Sequence, residues 1–216
     1  MITEHHIPVT KSARYFVLKP ETKPLALVYA LHGYRQLGLY FIKQFQALAD
    51  QGAVVVAPEG LHRFYINGYS GRVGASWMTK EDRETDIKDY LNYLNAFHQE
   101  IQKEYRDLPL HLLGFSQGGA TACYWIGASD IDFKSLILYA SVFPDDFDFE
   151  VNGERLTKMK RIIAFGDKDQ FAPEETIEEK LNWLKQKKVE PELLRFAGGH
   201  EIIDAVLLDI WAKANN

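Results

Sequence analysis

Two kinds of hydrophobic pattern alternate along the chain. Short runs of consecutive apolar residues predict strands buried on both faces, which are typical of a parallel sheet. These runs are residues 25–31, 53–57, 110–113, 135–140, 161–165 and the shorter 192–196. The segments between them carry apolar residues every three or four positions and predict helices. The alternation therefore predicts an α/β fold with a mostly parallel sheet and helices on both faces.

The helical pattern is clearest in residues 82–105, where seven apolar side chains form one stripe. Further helices are predicted at residues 41–49, 117–127, 174–187 and 201–213. Pro173 fits the first turn of the helix at 174–187, because proline lacks the backbone N–H that the first helical residue does not use.

Three segments depart from the alternation. Residues 2–9 and 13–18 are β-prone and separated by a polar turn, which predicts an opening antiparallel pair of strands. Residues 59–80 are rich in glycine and aromatics without a clear period, and a loop this long is usually functional. Residues 141–159 are too short for a separate lid domain, so we expect an open carboxyl edge of the sheet.

Length and composition fit one domain spanning residues 1–216. The net charge of −5 argues against nucleic acid or an anionic membrane as the main partner. No apolar run reaches the roughly 20 residues of a membrane span, and the amino terminus lacks a signal-peptide pattern. The single cysteine, Cys123, fits a reducing compartment. We expect a cytoplasmic monomer or homodimer.

The chemistry centres on a Gly-x-Ser-x-Gly motif that follows the predicted strand at 110–113. Gly114 and Gly118 flank Ser116, and a predicted helix begins directly afterwards. This is the layout of a nucleophile elbow, in which a sharp strand-to-helix turn exposes the serine hydroxyl. Ser116 is therefore the candidate nucleophile.

A serine nucleophile needs a base and an acid that orients the base. His200 follows a predicted strand and two glycines, which makes it the candidate base. Asp167 and Asp169 both follow the strand at 161–165, and the residues alone do not choose between them. The chain order Ser…Asp…His is the order this architecture uses.

Two backbone N–H groups should hold the oxyanion, that of Gln117 and that of Tyr34 in the loop after the strand at 25–31. An ordinary turn is the alternative interpretation of the His32-Gly33 pair in that loop. Metal-binding and phosphate-binding motifs are missing from the sequence, so we expect neither a metal nor a cofactor.

Four segments of the chain together carry a family resemblance. They are Leu31-His32-Gly33, Gly114-Phe115-Ser116-Gln117-Gly118-Gly119, Gly166-Asp167-Lys168-Asp169-Gln170-Phe171-Ala172-Pro173 and Gly199-His200. In order and spacing they resemble the phospholipase/carboxylesterase branch of the α/β-hydrolases, which includes the acyl-protein thioesterases and small bacterial carboxylesterases.

The resemblance implies Ser116 as nucleophile and His200 as base, and it selects Asp169 as the acid. It also implies that Trp77 lines the entrance to the site, and Phe171 is expected to line it as well. The family commonly has His-Gly-x-Gly-Asp after the first buried strand. Here Tyr34 and Arg35 narrow or recharge the acyl site, which argues against long lipid chains.

The sequence thus predicts a serine hydrolase that cleaves small to medium carboxylic esters or thioesters. The acidic chain and its aromatic loop favour neutral esters. The alternatives are a lysophospholipase or acyl-protein thioesterase and a hydrolase fold used only for binding. A peptidase would need a cap domain, and a dienelactone-type hydrolase would need cysteine at position 116.

Overall fold

A seven-stranded sheet runs through the computed structural model, which describes residues 1–172 and 174–215. The strands of the described residues are β1 Tyr15–Leu18, β2 Ala26–Leu31, β3 Ala53–Pro58, β4 His62–Tyr65, β5 Val73–Ser76, β6 Leu110–Phe115, β7 Ser135–Tyr139, β8 Lys160–Gly166 and β9 Glu192–Phe196. The order in the sheet is β1-β3-β2-β6-β7-β8-β9, and β4 and β5 form a separate hairpin.

Every neighbouring pair in the large sheet is parallel except β1 and β3. Strand β2 lies near the middle, with Tyr29 opposite Val56 of β3 and Leu112 of β6. Because parallel strands end at the same edge, the segments that follow β2, β6, β8 and β9 meet there. The predicted mostly parallel α/β fold with an antiparallel N-terminal strand is confirmed.

The helices cover both faces of the sheet. They are α1 Gly38–Phe41, a 3₁₀ turn at Ile42–Phe45, α2 Gln46–Asp50, α3 Arg83–Tyr105, α4 Gln117–Gly127, α5 Phe149–Thr157, α6 Glu174–Gln186 and α7 Asp204–Asn215. Pro173, predicted to lie in a first helical turn, is outside the described residues. None of the described helices is both long and apolar enough to cross a membrane.

Alternate residues of the central strands face two separate hydrophobic cores. Leu27, Tyr29 and Leu31 of β2 pack into the core under α3, α4, α5 and α6. Val28 and Ala30 point the other way, into the core covered by α1, α2 and α7. Burial on both faces explains why these strands appear as continuous apolar runs rather than alternating ones.

The predicted strand at residues 2–9 is wrong. Those residues are exposed and form no regular structure, with Ile2 and Ile7 largely in solvent. Strand β1 pairs with the edge of β3 instead, in a register that sets Tyr15 opposite Pro58. Strand β1 has a hydrogen-bonding partner in β3, whereas residues 2–9 pair with no strand of the described residues.

The segments at residues 59–80 and 141–159, which interrupt the predicted alternation, both contain regular structure. The β4–β5 hairpin lies within the first of them, from residue 62 to residue 76. In the other segment α5 begins after Asp148, whose side chain accepts hydrogen bonds from the amides of Glu150 and Val151, both at 3.0 Å. That helix is held by a cluster of tilted and edge-to-face rings from Phe143, Phe147 and Phe149.

Candidate active site

Ser116 stands at the turn between β6 and α4. Its φ of 52° and ψ of −121° lie outside the regions that a non-glycine residue prefers. The turn is held by hydrogen bonds from the Ser116 amide to the Tyr139 carbonyl, 3.0 Å, and from the Gly119 amide to the Ser116 carbonyl, 2.9 Å. The backbone is therefore strained in the way a nucleophile elbow requires.

The glycines on either side of the serine are needed because backbone passes very close to them. A Cβ on Gly114 would lie 2.4 Å from the carbonyl oxygen of Gly118, and a Cβ on Gly118 would lie 2.1 Å from that of Leu31. Any side chain at either position would push α4 away from the sheet. The close approach keeps the start of α4 directly behind Ser116.

His200 and Asp169 form a hydrogen-bonded pair at the same edge of the sheet. His200 Nδ1 lies 2.7 Å from Asp169 Oδ2, and the carboxylate is fully buried. The other carboxylate oxygen accepts the Phe171 amide at 2.9 Å. With Nδ1 donating to the carboxylate, Nε2 of His200 is left as the atom that can accept a proton.

Asp167 faces a different partner. It is exposed, and its side chain accepts a hydrogen bond from the Gly198 amide at 3.0 Å. Its own amide donates to the Phe196 carbonyl at 2.9 Å. Of the two aspartates that the sequence offers, the structure thus places Asp169 on the imidazole, while Asp167 fixes the loop that carries His200.

The His200 ring lies between two phenyl rings. Its centroid is 4.9 Å from that of Phe115, the residue before Ser116, and 4.9 Å from that of Phe171. Phe171 is 71% exposed, so it forms an open apolar wall beside the imidazole. Among the described residues no hydrogen bond joins the Ser116 hydroxyl to His200, and such contacts commonly tighten only when substrate binds.

Two backbone N–H groups lie next to Ser116 without an acceptor in the described part of the chain. One belongs to Gln117, the first residue of α4, and the other to Tyr34 in the turn after β2. Gly33 brings that turn against the elbow, since a Cβ built on it would lie 3.1 Å from the Ser116 Cβ. Paired free amides beside a nucleophile are the arrangement that stabilises an oxyanion.

His32 shapes this turn from beneath. It is completely buried, Nδ1 pairs with the Gly33 carbonyl at 2.8 Å, and Nε2 accepts the Gly60 amide at 2.9 Å. Burial lowers the pKa of His32 to about 4. The imidazole is therefore neutral at pH 7 and serves as a fixed link between two loops.

The prediction that Trp77 lines the entrance is wrong. Trp77 is fully buried, and its indole N–H donates to the His32 carbonyl at 2.8 Å. Its ring packs on those of His32 and Tyr90. The hairpin strand β5 leads the chain into the core at this point, so the aromatic side chain supports the turn rather than the substrate.

The side chain of Gln117 has a role that the motif alone did not indicate. Its Nε2 donates to the Met78 carbonyl at 2.8 Å, and its Oε1 accepts the Trp77 amide at 3.2 Å. The residue that offers a backbone amide next to Ser116 thus also holds the segment after β5. The available signal in the sequence was the identity of this residue, since a glutamine side chain can both donate and accept hydrogen bonds.

Glu59 is a second residue that sequence reasoning missed. Although nearly fully buried, its carboxylate binds Arg14 at 2.7 Å and accepts the Gly38 amide at 3.0 Å. An acidic residue directly after the buried strand β3 was the only hint. This ion pair joins the amino-terminal segment to the start of α1.

Comparison with solved structures identifies the fold. Zea mays acyl-protein thioesterase 2 superposes with a TM-score of 0.72 at 16% identity, covering 94% of this chain and 99% of that one. Esterase PE8 gives 0.71 at 22% identity, covering 95% and 99%. A Bacillus cereus carboxylesterase gives 0.66 at 16% identity, covering 94% of each. The α/β-hydrolase fold inferred from the sequence is confirmed.

Comparison at the sequence level identifies a family. No curated protein gives a significant match to the chain. The family model described as Serine hydrolase (FSH1) matches residues 25–202, from the start of β2 to the loop after His200. That match covers far more than half of the sequence, and the chain belongs to the Serine hydrolase (FSH1) family.

Proposed function

We propose that this serine hydrolase is a carboxylesterase-type enzyme that cleaves small to medium carboxylic esters or thioesters through an acyl-enzyme on Ser116. The observation that carries the proposal is the convergence, at one edge of the sheet, of a strained Ser116 elbow, a His200–Asp169 pair and two amides that have no acceptor among the described residues. Each part performs a distinct step of acyl transfer.

In the proposed reaction, Ser116 Oγ attacks the carbonyl carbon while Nε2 of His200 takes the hydroxyl proton. The amides of Tyr34 and Gln117 donate to the oxygen that becomes negative. Asp169 keeps Nδ1 protonated and stabilises the imidazolium that forms. His200 then gives the proton to the leaving oxygen or sulfur, and the same residue activates the water that releases the acid.

The site also suggests how the acyl part is received. Phe171 offers an exposed apolar wall beside His200, which supports a role in lining the substrate. The likeness to structures of carboxylesterases and of an acyl-protein thioesterase supports both oxygen and sulfur esters as substrates to test.

The deciding experiment measures hydrolysis of 4-nitrophenyl esters from acetate to palmitate by the wild-type protein and by Ser116→Ala. We expect activity to peak at short or medium chains and kcat to fall by about four to six orders of magnitude in the variant. Ser70→Ala, which changes an exposed serine of the hairpin loop, is the matched control and should keep wild-type rates.

Labelling with a fluorophosphonate gives a second readout, since the wild-type protein should react and Ser116→Ala should not. Near-wild-type turnover by folded Ser116→Ala would refute the scheme. A peak at long chains would favour a lysophospholipase or acyl-protein thioesterase. No hydrolysis and no labelling by a folded wild-type protein would favour a binding function.

A further inference from the structure

A cleft of about 660 Å³ opens beside the candidate active site. It lies between the turn after β2, helix α1 and the start of β5. Its lining includes Arg35, Gln36, Phe41 and Arg72. Two arginines therefore face a cleft whose lining contains no acidic residue.

The cleft shares walls with the reaction site. Gln36, which lines it, accepts the Gly33 amide at 2.8 Å through its side chain, and Gly33 packs directly against Ser116. On the opposite side Phe41 packs against Phe115, with ring centroids 6.1 Å apart. The turn at residues 33–36 therefore borders both Ser116 and the cleft.

The two arginines reach the cleft from separate elements. Arg35 follows Tyr34 and has a φ of 68°, a left-handed conformation that side chains rarely adopt. Its amide donates to the Ala75 carbonyl at 2.9 Å, and the Ala75 amide donates to the Gln36 carbonyl at 3.0 Å. These bonds join the turn to β5, the strand that begins just after Arg72.

The positive charge of the cleft is not neutralised by nearby acids. Among the described residues neither Arg35 nor Arg72 forms an ion pair. The buried carboxylate behind α1, Glu59, is already bound by Arg14 at 2.7 Å and has Arg63 at 3.7 Å. The acidic net charge of the whole chain, which favoured neutral esters, does not describe the field in this cleft.

We propose that the cleft binds a carboxylate or phosphate group of the substrate, so that the enzyme prefers esters or thioesters carrying an anionic group close to the scissile bond. The inference rests on the proposed function and deepens it. Guanidinium groups suit such a ligand because their planar N–H groups match the oxygens of carboxylate and phosphate. The anion belongs either to the acyl part or to the leaving group, and the two sources can be separated.

Two matched substrate pairs test the proposal. For the acyl part, 4-nitrophenyl hemiglutarate is compared with 4-nitrophenyl valerate, which has the same chain length and no charge. For the leaving group, butyryl-coenzyme A is compared with butyryl-N-acetylcysteamine. The quantity measured is the ratio of kcat/KM for the anionic substrate to kcat/KM for its neutral partner, in wild type, Arg35→Gln, Arg72→Gln and Arg72→Lys.

We expect one of the two ratios to fall about tenfold in each glutamine variant, because one charge-assisted hydrogen-bond partner is lost. Arg72→Lys should recover part of the ratio. In wild type the same ratio should decrease as salt is raised, since both arginines are exposed to screening. Arg106→Gln, which removes an exposed cation outside the cleft, should leave both ratios unchanged.

The outcomes distinguish failure of this inference from failure of the proposed hydrolase function. If the neutral esters are hydrolysed but no arginine variant changes either ratio, the proposed anion binding in the cleft is refuted and the proposed esterase function is retained. A folded wild-type protein that hydrolyses none of the four substrates would overturn both.

Discussion

The two aspartates after β8 differ in the direction of their side chains and therefore in the groups that they contact. Asp169 is buried against His200 Nδ1 at 2.7 Å, whereas Asp167 is exposed and holds the Gly198 amide. The sequence places both at the end of one strand and gives no spacing that distinguishes them. The family resemblance favours Asp169, and in the fold it is the Asp169 carboxylate that turns inward.

Asp169→Asn should lower kcat by about three to four orders of magnitude, because an amide cannot stabilise the imidazolium and can hold the wrong tautomer. Asp167→Asn should cost less than about tenfold, since its amide oxygen still accepts the Gly198 N–H. Steady-state hydrolysis of 4-nitrophenyl butyrate measures both. The reverse order of effects would transfer the role of the acid to Asp167.

Gln117 combines a backbone and a side-chain contribution in one residue. Its side chain bonds the Met78 carbonyl and the Trp77 amide, and neither bond involves the reacting atoms. Gln117→Ala keeps the backbone amide beside Ser116 but should lower the free energy of unfolding by about 1–3 kcal/mol, because the Trp77 amide loses its acceptor and the Met78 carbonyl loses one of its two donors.

Urea denaturation of Gln117→Ala and wild type measures that loss, and kcat measured on the folded variant reports any displacement of the amide. The exposed Gln46→Ala change in α2 is a control of the same chemistry. Equal stability of Gln117→Ala and wild type would show that the bonds to Trp77 and Met78 do not hold the loop.

At the scale of elements, the prediction is most accurate where a segment is buried on one or both faces along its whole length. Helix α4, most of whose residues are buried, begins and ends where the pattern placed it. Helix α5 was missed because its nine residues hold few apolar positions and its start depends on Asp148 as a cap. The β4–β5 hairpin was missed because its residues face mainly solvent or the active-site turn.

The hairpin explains why Trp77 could not be placed from the sequence. An aromatic residue in a glycine-rich segment suggests an exposed binding surface, but β5 carries this one under the turn after β2. There its indole N–H satisfies the His32 carbonyl. Convergence of Ser116, Asp169 and His200 was predictable because their strands are parallel, whereas the inward or outward direction of a loop residue was not.

Trp77→Phe should destabilise the protein by about 1–3 kcal/mol, because the ring packing is retained while the buried His32 carbonyl loses its donor. Thermal unfolding compared with Trp183→Phe, a partly buried tryptophan of α6, provides the measurement. A change in KM for esters at unchanged stability would contradict the buried role and return Trp77 to the substrate entrance.

For the whole molecule, two buried histidines set a dependence of stability on pH. Burial lowers the pKa of His32 and of His111 to about 4, and nearby Lys160 and Lys134 contribute at His111. Both values lie below the ordinary value of 6.5, so the unfolded chain takes up protons first as the pH falls. The stabilisation is complete above about pH 6.5 and is lost progressively between pH 6.5 and 4.

Between pH 7 and 5 each histidine should remove about 2 kcal/mol from the free energy of unfolding. Urea midpoints across this range measure the slope. His111→Gln should flatten the slope, because one of the histidines with a lowered pKa is removed, and in the described part of the chain His111 bonds only Ser135, at 2.8 Å. An unchanged slope in that variant would show that other groups cause the acid sensitivity.

The backbone conformation of Ser116 also limits which residues can replace it during evolution. At a φ of 52° a residue with a second heavy atom on Cβ clashes with its own main chain, so threonine does not fit the position of the proposed nucleophile. Cysteine has the same unbranched shape as serine and fits the same turn. A lineage carrying this elbow can exchange oxygen for sulfur by a single substitution, but it cannot adopt the threonine chemistry that other hydrolases use.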